Sequence, residues 1–249
     1  MFRFLSYDQL QKLFFENRDS SALRRRLGQL DRQGWLSRWY DPIPAGGHPG
    51  YACLTPKGWQ ATLTAIRQEA EGQPWERLVS LMLPASAQRR FSFTPKIVPP
   101  FLAHQREINH LLISWLQTPN TSVRWASSWD RPFPTAHRRV ALPQPDYILV
   151  IERKGELVVV CGEHDRAQES LDHFKQAKVD RYALLALAPE IRQQLFGITR
   201  FEVWVTVCDP VRKNPERRLE KLRMLANGAG LESVMKFALA GTALTNPTF

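Results

Sequence analysis

A chain of 249 residues, 43% hydrophobic and carrying eight Trp, can bury a sizeable core, which excludes a disordered tail. Its charge is positive and uneven: residues 1–145 hold a net +9 and residues 146–249 a net +1, which points to a phosphate-bearing partner, most simply nucleic acid. Cys53, Cys161 and Cys208 lack ligand spacing and read as buried free thiols. No apolar run approaches the ~18 residues of a bilayer span, and the start shows no signal-peptide pattern, so a cytoplasmic protein without membrane contact is expected.

In chain order, Ser6 stands before YDQLQKLFF, whose Leu10, Leu13 and Phe14 recur at helical spacing, so Ser6 is an expected N-cap. A second helix starts at Ser20 or Ser21 and runs through ALRRRLGQLDRQG. Leu23, Leu27 and Leu30 line its inner face, Arg25, Gln29 and Arg32 its outer face, with Arg24, Arg26 and Gln33 alongside; Gly34 is placed to stop it. WLSRWY, which contains Arg38, and YACLTP read as two strands around a turn-rich loop, and a helix capped near Thr55 follows.

Helix, turn, basic helix and two-stranded ribbon is the order of a winged helix, in which the second helix enters the major groove. The row Arg24, Arg25, Arg26, Gln29, Arg32, Gln33 and Arg38 offers forked donors suited to base edges and phosphates of double-stranded DNA, although a charged helix face is more commonly just solvated. The helix that normally precedes this order is missing, so the core would be completed by the 57–71 helix or by a second subunit, as in a homodimer. Residues 72–100 hold one short helical stretch, PWERLVSLML, and the proline-rich FSFTPKIVPPF, and read as a linker between a 1–71 domain and a 101–249 domain.

The second half begins with a helix over 104–117 and a strand over 122–129, then a loop with Arg131, His137, Arg138 and Arg139 beside Trp129. The hairpin PDYILVIERKGELVVVCGEHD follows, its continuous apolar runs predicting strands covered on both faces. A helix over DRAQESLDHFKQAKVDRY, a strand over 201–208 and a helix capped by Asn214 complete the order, with LESVMKFALAGTAL as an apolar surface that would dock a partner if exposed. The class is α/β, or α+β overall: a winged helix-turn-helix order followed by a mixed-sheet domain that, with the carboxylates described next, resembles the restriction-endonuclease-like fold.

Asp146 at the start of one strand and Glu163 and Asp165 at the end of the next would repel one another, and a Mg²⁺ ion would relieve that repulsion and activate water for phosphodiester cleavage. This arrangement resembles the PD-(D/E)xK fold, with Asp146 and Glu163 as metal ligands. Glu107 matches an acidic residue often found on the preceding helix of that fold. Asp165 stands where that pattern has Lys, which leaves Lys175 or Lys178 to reach the site from the following helix. The alternative is that Asp165 caps that helix or pairs with Arg166. No P-loop, nucleophile elbow or dinucleotide glycine pattern occurs.

Across LRRRLGQLDRQGWLSR, PDYILVIERKGELVVVCGEHD and ERRLEKLRMLA, the chain resembles the replication-relaxation family of mobile-element proteins. That resemblance implies a winged helix joined to a nuclease-like domain and a role in plasmid replication, relaxation or conjugative transfer beside replication or transfer proteins. The competing reading from the same residues is a Mg²⁺-dependent endonuclease.

Overall fold

The computed structural model describes residues 2, 4–40, 50–82, 102–118, 122–129, 133–134, 141–209 and 214–245. The chain forms two compact units, Met1–Ile113 and Ser114–Phe249.

In the first unit, β1 (Leu5–Ser6) leads into α1 (Tyr7–Phe14) and α2 (Ser20–Arg32), and β2 (Leu36–Tyr40) and β3 (Gly50–Leu54) form the ribbon. β3 is the central strand, antiparallel to both β1 and β2. At the start of α1 the Gln9 side chain accepts the Ser6 N–H at 3.1 Å. The α2 cap is one residue earlier than expected: Asp19 accepts the Ser21 N–H at 3.2 Å and the Ser21 hydroxyl at 2.8 Å, because a carboxylate here reaches both donors. Leu23 and Leu27 pack on Leu36 and Ala52, as their spacing requires.

α3 (Pro56–Ala70) and α4 (Glu76–Met82) follow. Thr55 caps α3 by accepting the Gly58 N–H at 3.1 Å and donates its own hydroxyl to the Gly34 carbonyl at 2.5 Å, tying the exit of α2 to the entry of α3. Thr55→Ala removes both bonds and is expected to cost about 1–2 kcal/mol, read from the urea midpoint.

A helix from later in the chain packs on this unit. α5 (Leu102–Gln117) contributes Leu102 to a cluster with Phe4, Tyr51 and Cys53. Its Asn109 amide donates to the Phe4 carbonyl at 2.7 Å, and the Gln9 amide donates to the Arg106 carbonyl at 2.9 Å. The first unit runs to Ile113, inside α5, and most of the 72–100 segment lies outside the described residues.

The second unit is a five-stranded mixed sheet: β4 (Ser122–Ser128), β5 (Tyr147–Arg153), β6 (Glu156–Asp165), β7 (Phe201–Val207) and β8 (Met235–Leu239), adjacent in that order. β4, β5 and β6 form an antiparallel meander, whereas β6, β7 and β8 run parallel. Lys154 and Gly155, both at positive φ, make the two-residue β5–β6 turn, the backbone a right-twisted hairpin needs.

Between β6 and β7 run α6 (Leu171–Phe174), a π turn (Lys175–Val179), α7 (Asp180–Leu187) and α8 (Pro189–Phe196); between β7 and β8 runs α9 (Pro215–Gly228), capped by Asn214, and α10 (Ala240–Thr245) follows β8. Ile148, Leu149, Val150, Val158, Val159 and Val160 are fully buried, which accounts for the unbroken apolar runs.

Two expectations are corrected here. The helix after Asp165 begins only at Leu171, because Ala167 turns to positive φ and Ser170 is the cap. Residues 231–243 are not an exposed apolar stretch: they build β8 and start α10, with Leu231, Met235 and Ala243 buried and Val234, Phe237 and Leu239 half-buried. Trp129 is buried and packs on Phe133 at 5.3 Å between ring centroids, as a core residue. No described helix is long and apolar enough to cross a membrane.

Candidate functional site

The register of β5 on β6 pairs Tyr147 with Gly162, and so sets Asp146 beside Glu163. The Asp146 N–H donates to the Gly162 carbonyl at 2.9 Å, and Asp146 Oδ2 accepts the His164 N–H at 2.7 Å. The carboxylate thus helps hold the strand ends together.

Strand alternation sends Glu163 and Asp165 to one face and His164 to the other. Glu163 is 1% exposed. Its Oε2 accepts the Lys178 ammonium at 2.5 Å and its Oε1 the Tyr182 hydroxyl at 2.6 Å. Burial pushes the Glu163 carboxyl up to about 7; Asp146 adds to that rise, while Lys178 and the Tyr182 hydroxyl oppose it. Lys178 also donates to the Gln144 carbonyl at 2.6 Å. Burial disfavours its charge, but the carboxylates of Glu163, Asp146 and Glu169 outweigh burial and raise its affinity for a proton.

Lys175 goes elsewhere: it pairs with Asp180 at 2.7 Å on the exposed side. In a regular helix, residues three apart share a face. The wider π turn advances each residue through a smaller angle, so Lys178 separates from Lys175 and turns inward.

Asp165 is gripped by Arg218 of α9 through Nε–Oδ2 at 2.7 Å and Nη2–Oδ1 at 3.1 Å, and accepts the Ala167 N–H at 3.2 Å. Its partner is thus Arg218 rather than Arg166. On the opposite face, the Thr206 hydroxyl donates to the Glu163 carbonyl at 3.2 Å, which leaves the Thr206 oxygen to accept from His164 Nδ1 at 2.9 Å. Glu107 lies on α5 within the first unit.

A cleft of about 720 Å³ opens beside this cluster, lined in part by Glu169, Asp209, Arg217, Arg218 and Lys221. It reaches Arg218, but Asp146, Glu163 and Lys178 are not among its lining residues.

Asp146 and Glu163 are the residues that would hold Mg²⁺. The ion demands near-octahedral oxygen ligands. Here both Glu163 oxygens and the Gln144 carbonyl are engaged by Lys178 and Tyr182, one Asp146 oxygen holds a backbone N–H, and Asp165 is committed to Arg218. As arranged, this donor set does not fit the ion.

In the first unit, Arg24, Arg25, Arg26, Gln29 and Arg32 of α2 and Gln33 at its C-terminal end are all exposed, with Arg25, Gln29 and Arg32 opposite the buried Leu23 and Leu27. Arg38 differs: its Nε donates to Asp31 at 2.8 Å, so its guanidinium braces β2 against α2. The ribbon tip, 41–49, and Arg131, His137, Arg138 and Arg139 lie outside the described residues.

Tyr182, Thr206 and Arg218 escaped the sequence reading, since each acts on residues 19–53 positions away and carries no local pattern. No curated protein and no solved structure shows significant similarity to the chain. The replication-relaxation family model matches residues 1–198, a span that takes in α2, the strand-end carboxylates and Lys178. The chain therefore belongs to the replication-relaxation family, which connects it to plasmid or mobile-element replication.

Proposed function

We propose that this protein is a double-stranded DNA-binding accessory factor in the replication, relaxation or transfer of a mobile element, and that its second unit is a nuclease-like fold without nuclease activity. The observation that carries the DNA reading is the exposed row Arg24, Arg25, Arg26, Gln29, Arg32 and Gln33 on the second helix of a helix–turn–helix–ribbon order. Six long donors on one solvent-facing helix, in the more basic half of the chain, match the phosphates and base edges of a major groove.

The second unit supports a PD-(D/E)xK-like reading through its antiparallel meander, its helical crossover to a parallel fourth strand, and acidic residues at the start of β5 and the end of β6. The non-catalytic reading rests on the engaged carboxylates: a nuclease needs open ligand positions, and Glu163 has none.

Arg25→Ala combined with Arg32→Ala is expected to weaken duplex binding at least about tenfold at moderate salt and to flatten the salt dependence by about two phosphate contacts, read by fluorescence anisotropy. Both side chains are exposed, so circular dichroism should show an unchanged fold. Unchanged affinity would remove α2 as the DNA-reading element. Mg²⁺- or Mn²⁺-dependent nicking of plasmid DNA, lost in Asp146→Asn, would replace the accessory reading with an endonuclease.

A further inference from the structure

We infer that Lys178 is the resident cation of the strand-end carboxylate cluster, a covalently attached ammonium that holds the position of a divalent metal and keeps one out. The inference rests on the nuclease-like reading of the second unit and adds what became of its metal chemistry.

Four observations carry it. The ammonium stands 2.5 Å from Glu163 Oε2 and 2.6 Å from the Gln144 carbonyl, so a carboxylate and a backbone oxygen converge on one positive charge, as they do around a metal ion. Asp146 and Glu169 act on the same ammonium electrostatically, which brings three carboxylates to bear on it. Only 17% of the Lys178 side chain and 2% of the Glu163 side chain is exposed, so bulk ions do not screen the pair. A π turn, rather than continued α-helix, delivers Lys178 to this place while Lys175, one turn earlier, stays on the surface.

A divalent ion entering the cluster would meet the ammonium at contact distance and would have to displace it from a buried ion pair. The position two residues after Glu163, where the fold's pattern would place a lysine, holds Asp165, and Arg218 neutralises it. Each carboxylate at the strand ends therefore has a partner from the chain itself. The cluster would stabilise the sheet end in any divalent-ion concentration, which suits a binding domain that must not cut the DNA it holds.

The test is Mn²⁺ binding by isothermal titration at pH 8, with Mn²⁺-dependent thermal shift as a second readout. The wild-type protein is expected to show no binding at this cluster. Lys178→Met is expected to bind Mn²⁺ at least about tenfold more tightly, a conservative reading of the repulsion removed. Glu163→Gln with Lys178→Met replaces the charged pair by a neutral one and should not respond. If Lys178→Met is unfolded alone but folds when Mn²⁺ is added, the inference stands.

It is overturned if the wild type binds Mn²⁺ as tightly as Lys178→Met and loses that binding in the double variant. It is equally overturned if Lys178→Met folds without gaining a site, or stays unfolded with Mn²⁺ present. None of these outcomes touches duplex binding by α2, so failure here is separable from failure of the DNA reading.

Discussion

Replacing Arg218 with alanine is expected to destabilise the protein by about 3–5 kcal/mol, the usual cost of stripping one partner from a buried ion pair. The guanidinium reaches from α9 to the end of β6 and binds both Asp165 oxygens. Only 1% of the Asp165 side chain and 11% of the Arg218 side chain is exposed, so the pair is a buried one. The orphaned carboxylate would pull on its surroundings as well. Asp165 Oδ1 also accepts the Ala167 N–H, and the Asp165 carbonyl accepts the Cys208 N–H at 2.9 Å, so the ends of β6 and β7 would loosen together.

Urea unfolding should show a lower midpoint with an unchanged slope. Arg218→Met combined with Asp165→Asn should lose less than Arg218→Ala alone, because no unpaired ion then remains buried. A cost below about 1 kcal/mol for Arg218→Ala would mean that the pair is solvated and does not hold the sheet end. Asp165→Lys, which would restore the lysine expected at this position of a PD-(D/E)xK pattern, should do worse than any of these. It would set two cations against each other at a buried site. Position 165 and position 218 are thus one decision: with arginine on α9, the strand end needs an acid.

This coupling shows why part of the site was legible in the sequence and part was not. The β5–β6 hairpin could be read because its signals are local: two apolar runs, a turn at Lys154 and Gly155, and carboxylates at the ends. Thr55 and Asn214 could be read as caps because a side chain that caps a helix sits within three residues of the N–H it satisfies. Arg218 could not, since 53 residues separate it from Asp165 and nothing in PERRLEKLRMLA marks one arginine among its neighbours.

Lys175 and Lys178 were indistinguishable for a different reason. A periodicity of 3.6 puts both on one helix face, and the π turn that separates them has no sequence signature. The role of α5 was hidden by order in the chain. Its leucines announced a helix, but its place beside Phe4 and Tyr51 depends on a helix nearly 50 residues downstream of β3 closing a core begun at residue 4. β8 was missed because MKFAL is short and mostly half-buried, so it resembles an exposed apolar patch until a parallel partner is found for it in β7.

Gly162→Ala is expected to be the most damaging single-methyl change in the second unit. A Cβ at this position would stand 2.0 Å from the Tyr147 ring carbons, far inside van der Waals contact. The ring cannot step aside, because Tyr147 is fully buried and pairs directly across the ladder with Gly162. Overpacking a core typically costs 1–3 kcal/mol, and a rigid ring at this separation places the variant at about 3 kcal/mol or above.

The consequence reaches the candidate site through the backbone. Asp146 precedes Tyr147 and bonds to the Gly162 carbonyl, while Glu163 follows Gly162, so moving the two strands apart separates the two carboxylates that Lys178 balances. The decisive measurement is a double-mutant cycle by urea unfolding. In a Tyr147→Ala background the ring is gone, and Gly162→Ala should cost less than about 1 kcal/mol, giving a coupling energy of roughly 2 kcal/mol or more. Additive costs would show that the damage comes from strand backbone rather than from the ring. The glycine would then matter as chain, and not as the space that lets the Tyr147 ring lie across it.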